Sequence, residues 1–478
     1  MQYFNRLLLP VCLLLSGTTN LFSQSFTLKG NIKNAKGDTI ELNYTNNYLT
    51  YDNTSMGKLK INEDGSFKLS NQLDKPHWCS LELGKRTAYL YISPGDELTV
   101  ESDTAGFSRK MKFSGKGSEI NEFLNKNYFT FEKSNRKLNK LQREVYYDTT
   151  GKMASSFYVF LDSTFDAKLK YADKYKDHPM IRFINYNRLN YRLNVRMTEF
   201  GENETPDFNV IEKEVNMWLA QYNLPLFNPE GLANSFYTSF LTTYYGTLQQ
   251  KFMPQAEDPS DQQLDEYIKN CWTFLDGIDD YDIQCYLKAA LINENLYSSN
   301  DQKRMKPYLE LLMKNQPQNS YSLLAQKEFN ENMKVSVGSM APEFSYKGSD
   351  NKTYTMKDFF GKYVVLDVWA TWCGPCRREI PHVLKLSQEF KDKNVQFISI
   401  SVDPQEETWR KFLEKENMPW MQLWSPGNFK SDITKKYNVR GIPFFVMVDP
   451  QGKIIDLNSY RPSGSMREKL NEAIEGKK

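Results

Sequence analysis

Histidine and cysteine are rare in this chain of 478 residues, which has only three histidines and six cysteines. The histidines, His77, His178 and His382, do not have the spacing of metal ligands, and the chain has a single Cys-x-x-Cys pair. A structural zinc site usually needs a second cysteine pair or two closely spaced histidines. We therefore expect no metal site.

An excess of either charge is also missing, since 61 lysines and arginines stand against 59 aspartates and glutamates. A nucleic-acid-binding protein usually has a basic excess, so no nucleic acid partner is expected. Long apolar runs are missing as well. Beyond the first 25 residues, no segment approaches the roughly 18 apolar residues of a membrane-spanning helix. The mature chain is therefore expected to have no transmembrane segment.

The N-terminal residues have a different pattern from the rest of the chain. Arg6 precedes a short apolar run, Leu7–Leu15, which small and polar residues follow. This run is too short to span a bilayer of about 30 Å, so it predicts a cleavable signal peptide over residues 1–25. Cys12 lies inside the apolar run and not behind it, which argues against a lipid anchor. We expect export to the periplasm or cell envelope.

A chain of this length is expected to contain two or three domains. Residues 26–115 alternate apolar and polar residues between turns such as Glu63–Gly65 and Ser93–Asp96. This period of two predicts an antiparallel β-domain that resembles a β-sandwich. Over residues 116–332 the period becomes helical, most clearly along Leu264–Leu275. The pattern predicts a central all-α region.

Residues 336–478 begin within a linker that contains Gly338 and Pro342, and they combine the period of strands with that of helices. The apolar run Tyr363–Leu366 predicts a buried central strand. A helix, a strand, a second helix, a hairpin around Asp449–Gly452 and a last helix follow. This order predicts an α/β thioredoxin fold. The chain is thus expected to be multidomain, with β, all-α and thioredoxin-like parts in that order.

Five cysteines remain after the signal peptide: Cys79, Cys271, Cys285, Cys373 and Cys376. So few cysteines, in an odd number, cannot form a closed disulfide framework. Cys271 lies on the apolar stripe of a predicted helix, which favours a buried residue over a reactive thiol. The sequence leaves open whether Cys271 pairs with Cys285. Only Cys373 and Cys376 have redox spacing, in a compartment where thiol exchange is catalysed.

The spacing of this pair suits disulfide exchange. Cys373 is expected at a helix N-terminus, where free backbone N–H groups and the helix dipole favour a thiolate. Cys376, three residues later, should lie beneath it, close enough for a disulfide. Pro375 removes an N–H group from the first turn, where no partner is needed. We predict that Cys373 is the exposed attacking residue and Cys376 the buried resolving one; a purely structural disulfide is the alternative.

Two segments carry a resemblance to known families. Val368–Cys376 looks like the active-site segment of thioredoxins, and Gly338–Phe344 resembles the start of exported TlpA/ResA-like thiol–disulfide oxidoreductases. The resemblance covers about residues 336–475, and the long N-terminal β plus helical extension resembles that of some envelope relatives. It implies a redox-active disulfide, Cys373–Cys376, and no other cofactor.

The resemblance also implies roles for neighbouring residues. Asp367 matches the buried acid of thioredoxins, and Pro381 matches their helix-kinking proline. Ile442 and Pro443 match the cis-proline loop that binds a substrate backbone. ResA-like relatives often place an acid elsewhere, whereas this chain has the thioredoxin arrangement. Burial at the end of an apolar strand should raise the pKa of Asp367, which suits this residue to take a proton from Cys376.

The expected substrate-binding surface consists of Trp372, Gly374, Pro375, Ile442 and Pro443. Trp372 would offer an apolar platform to a protein partner, although core packing is an alternative for this side chain. The pair Arg377–Arg378 follows in the first helical turn. It would either steer acidic partners or form a solvated helix face.

The predicted function is a thiol–disulfide oxidoreductase that reduces or isomerises disulfides. Its expected partners are disulfide-containing envelope proteins and a membrane thiol electron donor. A peroxiredoxin is disfavoured because Leu366 and Ala370 occupy the positions of that family's proline and threonine. The remaining alternative is an envelope binding or scaffold module with an accessory redox domain.

Overall fold

The computed structural model describes residues 24–45, 47–50, 53–148, 152–199, 206–254, 259–296 and 298–476. Cys12 and nearly all of the predicted signal peptide lie outside these residues. The chain forms two compact units, which meet in sequence at Leu248 and Gln249. The predicted fold class is confirmed: β-strands come first, helices follow, and the C-terminal part is a thioredoxin-like α/β domain. The predicted domain limits near residues 115 and 332 stay predictions.

The first unit begins with eight strands in two sheets. The strands are β1 (Gln24–Lys33), β2 (Thr39–Thr45), β3 (Asn53–Lys60), β4 (Ser66–Leu73), β5 (His77–Leu83), β6 (Arg86–Ile92), β7 (Glu97–Asp103) and β8 (Lys112–Lys116). The sheet orders are β4-β1-β7-β8 and β3-β2-β5-β6. Cys79 and Leu81 on β5 are fully buried, as the period of two predicts.

One pairing differs from an all-antiparallel domain. Strands β1 and β7 are parallel, with Leu28 opposite Leu98. The alternation of apolar and polar residues reports which face of a strand is buried, but it carries no information on the direction of the neighbouring strand. The parallel pair therefore could not be predicted from the period alone.

Six α-helices follow in the described residues of the first unit: α1 (Ser118–Thr130), α2 (Glu132–Tyr146), α3 (Lys152–Ala172), α4 (Pro179–Thr198), α5 (Phe208–Gln221) and α6 (Ser235–Gln249), which ends one residue beyond the unit. Strand β6 lies at the edge of its sheet, and this edge contacts α1, where Asn121 exchanges hydrogen bonds with the backbone of Tyr91 at 2.7 and 2.8 Å. Leu161 and Phe165 of α3 are fully buried. The abundant aromatic residues thus serve mainly to pack helices on one another and on the sheet.

The second unit begins with four more helices: α7 (Asp261–Asp276), α8 (Tyr281–Glu294), α9 (Ser299–Asn315) and α10 (Ser320–Met333). Three residues of the predicted stripe of α7 are buried, Ile268, Cys271 and Leu275, whereas Leu264, Tyr267 and Phe274 are half-buried. Ser260 caps this helix. Cys285 is buried in α8, and the two thiols are not paired. Within the described residues, no helix has both the length and the apolar character needed to cross a bilayer.

The thioredoxin-like domain has seven strands and four helices. They are β9 (Ser345–Gly348), β10 (Thr353–Thr355), β11 (Tyr363–Trp369), α11 (Gly374–Glu389), β12 (Val395–Ser401), α12 (Glu406–Leu413), β13 (Met421–Trp424), α13 (Asp432–Lys436), β14 (Phe444–Val448), β15 (Ile454–Leu457) and α14 (Met466–Glu475). The sheet order is β10-β9-β13-β12-β11-β14-β15. Sequence periodicity missed β13 and α13 because four or five residues are too few to show a period.

The loop between α13 and β14, which carries Ile442 and Pro443, is tied to the helices of its own unit. Arg440 donates from Nη1 to the backbone carbonyl and to Oδ1 of Asn293, at 3.1 and 2.8 Å. Its Nη2 lies 3.4 Å from a carboxylate oxygen of Glu328. Helices α8 and α10 therefore restrain a loop that sequence analysis assigns to substrate binding.

We expect Arg440→Ala to loosen this loop. The variant loses charge-assisted hydrogen bonds, each worth roughly 1.5–3 kcal/mol, so amide hydrogen exchange in Val439–Ile442 should accelerate by about tenfold. Arg467→Ala is the control, because Arg467 pairs with Glu389 on a more exposed surface. Equal exchange rates in the Arg440 variant and the wild type would show that the helices do not restrain the loop.

Candidate active site

Cys373 and Cys376 form a disulfide at the N-terminus of helix α11. Cys373 caps the helix, Gly374 and Pro375 open its first turn, and the Cys376 N–H group donates to Cys373 Sγ at 3.1 Å. A backbone donor and a helix N-terminus both stabilise negative charge on that sulfur. The geometry favours Cys373 as the thiolate once the disulfide is reduced.

Exposure does not separate the two cysteines. Cys373 is 5% exposed and Cys376 is 3% exposed, so the predicted contrast between an exposed and a buried cysteine is absent in this disulfide form. The carbonyl oxygen of Ile442 lies 3.6 Å from Cys373 Sγ and covers it; the Ile442–Pro443 peptide bond is cis. The difference in thiolate stability between the two cysteines is therefore attributed to their positions at the helix N-terminus and not to exposure.

An exposed aromatic pair lies beside the disulfide. Trp372 is 52% exposed and Phe429 is 46% exposed, and their rings meet edge to face at 6.2 Å. Trp372 is thus not a core residue. Apolar rings left in water next to a reactive centre suit contact with another protein. Sequence analysis did not single out Phe429, which lies 57 positions away from Trp372.

Asp367 is buried in the middle of the sheet. It lies on β11 opposite Ser399 of β12 and Phe445 of β14. Its Oδ2 accepts a hydrogen bond from Ser399 Oγ at 2.8 Å, and Trp420 Nε1 donates to the same serine oxygen at 2.8 Å. Within the described residues, Oδ1 has no hydrogen-bond partner.

Burial raises the pKa of Asp367 to about 7, and three neighbours modify that effect. The Ser399 hydrogen bond and the charge of Arg461 lower this pKa, whereas the charge of Glu379 raises it. A carboxyl group with a pKa near neutrality is present in both protonation states at physiological pH. Such a group can accept and return a proton within one reaction cycle.

A second buried acid holds the segment that leads into the cysteine pair. Asp403 is 1% exposed and accepts hydrogen bonds from the Thr371 N–H and hydroxyl groups, at 3.0 and 2.7 Å. The Ser401 hydroxyl donates to the same carboxylate at 2.7 Å. Asp403 therefore positions the residues before Cys373. Its signal in the sequence was an acid placed just after an apolar strand.

Glu379 and Arg461 complete the charged surroundings of the site. Glu379, on α11, accepts hydrogen bonds from the Ser463 N–H and hydroxyl groups at 3.0 and 2.8 Å. Arg461 donates to Asn458 at 2.7 Å, and burial lowers its pKa. Neither residue is indicated by the sequence alone. Within the described part of the chain, no cluster of three or more His, Cys, Asp or Glu residues could hold a metal ion.

We expect Ser399→Ala to raise the pKa of Asp367. The hydroxyl stabilises the charged carboxylate, and a hydrogen bond to a charged group is worth roughly 1.5–3 kcal/mol, so the pKa should rise by about one unit. A carbon-13 NMR titration of the aspartate carboxyl carbons measures this value. Ser387→Ala, whose hydroxyl bonds only to the backbone carbonyl of Leu384, should leave it unchanged. An unaltered titration in Ser399→Ala would show that the Ser399 hydrogen bond does not lower the pKa of Asp367.

Comparison with known proteins identifies the family. The Redoxin family matches residues 336–474. The thiol–disulfide oxidoreductase ResA of Bacillus cereus is 31% identical over 132 residues, which cover 28% of this chain and 75% of the relative. Thioredoxin-like protein YneN of Bacillus subtilis is 32% identical over 143 residues, which cover 29% of this chain and 79% of the relative.

One solved structure is also similar to part of this chain. The thioredoxin domain of a thiol–disulfide oxidoreductase from Bacteroides vulgatus is 31% identical, with a TM-score of 0.28, and the match covers 29% of this chain and 99% of that one. The fold, the cysteine pair and the ResA match agree with one another. By its C-terminal domain, this chain belongs to the ResA family of thiol–disulfide oxidoreductases and is a thioredoxin-like enzyme.

Proposed function

We propose that this enzyme reduces or isomerises protein disulfides in the bacterial cell envelope, with Cys373 and Cys376 as its redox pair. The observation that carries the proposal is the Cys376 N–H bond to Cys373 Sγ at the N-terminus of α11. This hydrogen bond stabilises negative charge on the Cys373 sulfur, so the two sulfurs differ chemically although both cysteines are nearly buried. The buried acid Asp367 is the second support.

The proposed cycle begins with reduced cysteines. The Cys373 thiolate attacks one sulfur of a partner disulfide, the partner's S–S bond breaks, and its other sulfur leaves as a thiolate that takes up a proton. Asp367 then accepts the Cys376 proton, and the new thiolate attacks Cys373 Sγ. The mixed disulfide breaks, the partner's second sulfur leaves as a thiolate that takes up a proton while Asp367 gives up its own, and the Cys373–Cys376 disulfide is formed. The partner leaves with two thiols. Two electrons have passed to the partner.

The partner strand is proposed to bind beside the disulfide. Trp372 and Phe429 supply an exposed apolar contact, and Gly374 and Pro375 form the adjoining turn. The Ile442 carbonyl oxygen lies 3.6 Å from Cys373 Sγ, directly before Pro443 in the chain. A thiol donor of the membrane would return two electrons to the oxidised pair. Arg377 lies over the Phe412 ring at 5.7 Å, so its packing competes with a role in steering acidic partners.

The direction of electron flow can be tested by the redox potential. A Gly-Pro dipeptide between the cysteines resembles reducing thioredoxins, whose potential is about −270 mV, against about −120 mV for a strong oxidant. We expect equilibration of the full-length chain with glutathione to give a value near the reducing end. A potential above about −180 mV would contradict the proposal and favour an oxidase.

A further inference from the structure

The first unit contains a cavity of about 440 Å³ that the redox mechanism does not use. Trp78 and Tyr89 of the outer sheet face form one wall, and Phe165 and Tyr191 of the helices contribute another. Tyr89 is 55% exposed, so the cavity opens to solvent. Its volume falls within the range of small-molecule sites, roughly 300–1,000 Å³.

The aromatic walls suit a flat apolar group. Trp78 and Tyr89 are stacked with their ring centres 6.5 Å apart and their planes 20° apart. Phe165 and Tyr191 meet edge to face at 6.2 Å. Walls of this kind bind planar rings by stacking and by burial of apolar area.

The cavity also holds a buried cation. Lys168 is only 6% exposed, its Nζ donates to Asn135 Oδ1 at 2.7 Å, and it lies 4.2 Å from the centre of the Phe165 ring. In the described part of the chain, Lys168 has no carboxylate partner within ion-pair distance. Burial lowers the pKa of Lys168 to about 8, so the amine still carries its charge at neutral pH. A buried charge without a counter-ion is costly.

The carboxylate that lines the cavity forms ion pairs with residues other than Lys168. Glu132 lines the cavity but pairs with Arg109 at 2.5 Å and with Arg136. A second donor is also unused: among the described residues, the buried Nδ2 atom of Asn127 has no hydrogen-bond partner. The cavity thus combines an unpaired ammonium and a free amide donor with apolar walls.

We propose that this cavity binds a small aromatic anion, with a carboxylate or sulfonate group at Lys168 and Asn127 and a flat ring between the aromatic walls. An anion would supply both the missing counter-ion for Lys168 and the missing acceptor for Asn127. All the residues that line the cavity belong to the first unit, so this site would give the N-terminal half a binding function of its own.

Two fluorescent probes with the same rings test the proposal on the full-length chain. 8-Anilinonaphthalene-1-sulfonate carries a negative charge, and N-phenyl-1-naphthylamine does not. We expect the charged probe to bind at one site, and Lys168→Met to weaken its binding by about tenfold or more while the neutral probe changes by less than about twofold. Asn127→Leu should weaken only the charged probe.

Matched controls separate this site from general surface binding. Lys137→Met removes a lysine that lies 4.2 Å from the Phe160 ring centre but does not line the cavity, so both probes should bind as before. Cys373→Ser should also leave both affinities unchanged. Circular dichroism and urea unfolding of each variant exclude binding to a partly unfolded chain.

Undiminished binding of the charged probe by a folded Lys168→Met variant would overturn the proposal. If that variant does not fold, competition for the charged probe on the wild-type chain tests the proposal instead. 2-Naphthoate should displace the charged probe, and 2-naphthylmethanol, which has the same ring without the charge, should do so at least about tenfold less well. Equal displacement by both compounds would reduce the cavity to an apolar site without anion recognition.

Discussion

Cys376→Ser is expected to accumulate mixed disulfides between Cys373 and envelope proteins. The variant keeps the sulfur that caps α11 and lacks the thiol that would resolve the adduct, so exchange stops after its first step. Non-reducing gels of envelope extracts should show adduct bands that disappear on reduction. Mass spectrometry of those bands identifies the partners, and with them the substrates.

Cys373→Ser is the matched control for this trap. We expect at least about tenfold fewer adducts, because the N-cap position and the Cys376 N–H bond favour a thiolate at Cys373. The three other described cysteines are buried and unpaired: Cys79, Cys271 and Cys285. Burial raises the pKa of each of these thiols to about 12, so replacing them should not alter the bands. Adducts in Cys373→Ser but not in Cys376→Ser would reverse the assignment of the nucleophile.

Asp367→Asn is expected to stabilise the folded chain at alkaline pH. Burial raises the pKa of Asp367 from 3.8 to about 7, so the folded state binds this proton more tightly than the unfolded state does. The free energy of unfolding of the wild type should therefore fall as pH rises from about 4 to about 7. Above about pH 7 the charged Asp367 lowers the free energy of unfolding by about 4 kcal/mol, since each pKa unit of the shift is worth about 1.4 kcal/mol.

Urea unfolding of the oxidised chain at two pH values measures this effect. At pH 8.5 the asparagine variant should exceed the wild type by about 2–4 kcal/mol, and at pH 4 the two should nearly coincide. Asp350→Asn is the control, since Asp350 lies in an exposed turn and its pKa is lowered by Tyr354 and Lys352. A difference between Asp367→Asn and wild type that does not vary with pH would show that this carboxyl does not titrate near neutrality.

The same variant should be slower in the resolving step. Without a carboxylate to accept the Cys376 proton, release of a model partner should slow by roughly 10²-fold near pH 7. Raising the pH should restore part of the rate, because Cys376 then ionises without help. Release rates from pH 6 to 9 give the comparison, and unchanged rates would remove Asp367 from the proposed mechanism.

Local patterns in the sequence were sufficient for the three-part fold class and for the location of the cysteine pair. Periods of two and 3.6 residues report which face of an element is buried, and they held for β5 and α7. The segment around Cys373 and Cys376 is a continuous motif, so its helix-terminal position follows from adjacent residues alone. Very short elements such as β13 could not be predicted in this way, because four residues are too few to show a period.

Tertiary structure alone decided which distant residues meet. Ser399 and Trp420 reach Asp367, and Asn293 and Glu328 reach Arg440 across 147 and 112 positions of the chain. The aromatic cavity and the unpaired charge of Lys168 arise in the same way. Such contacts depend on strand register and on how helices pack against sheets, and neither quantity is encoded in a local period. The sequence by itself determined the redox chemistry, whereas packing determined the surroundings that tune it and the second site that accompanies it.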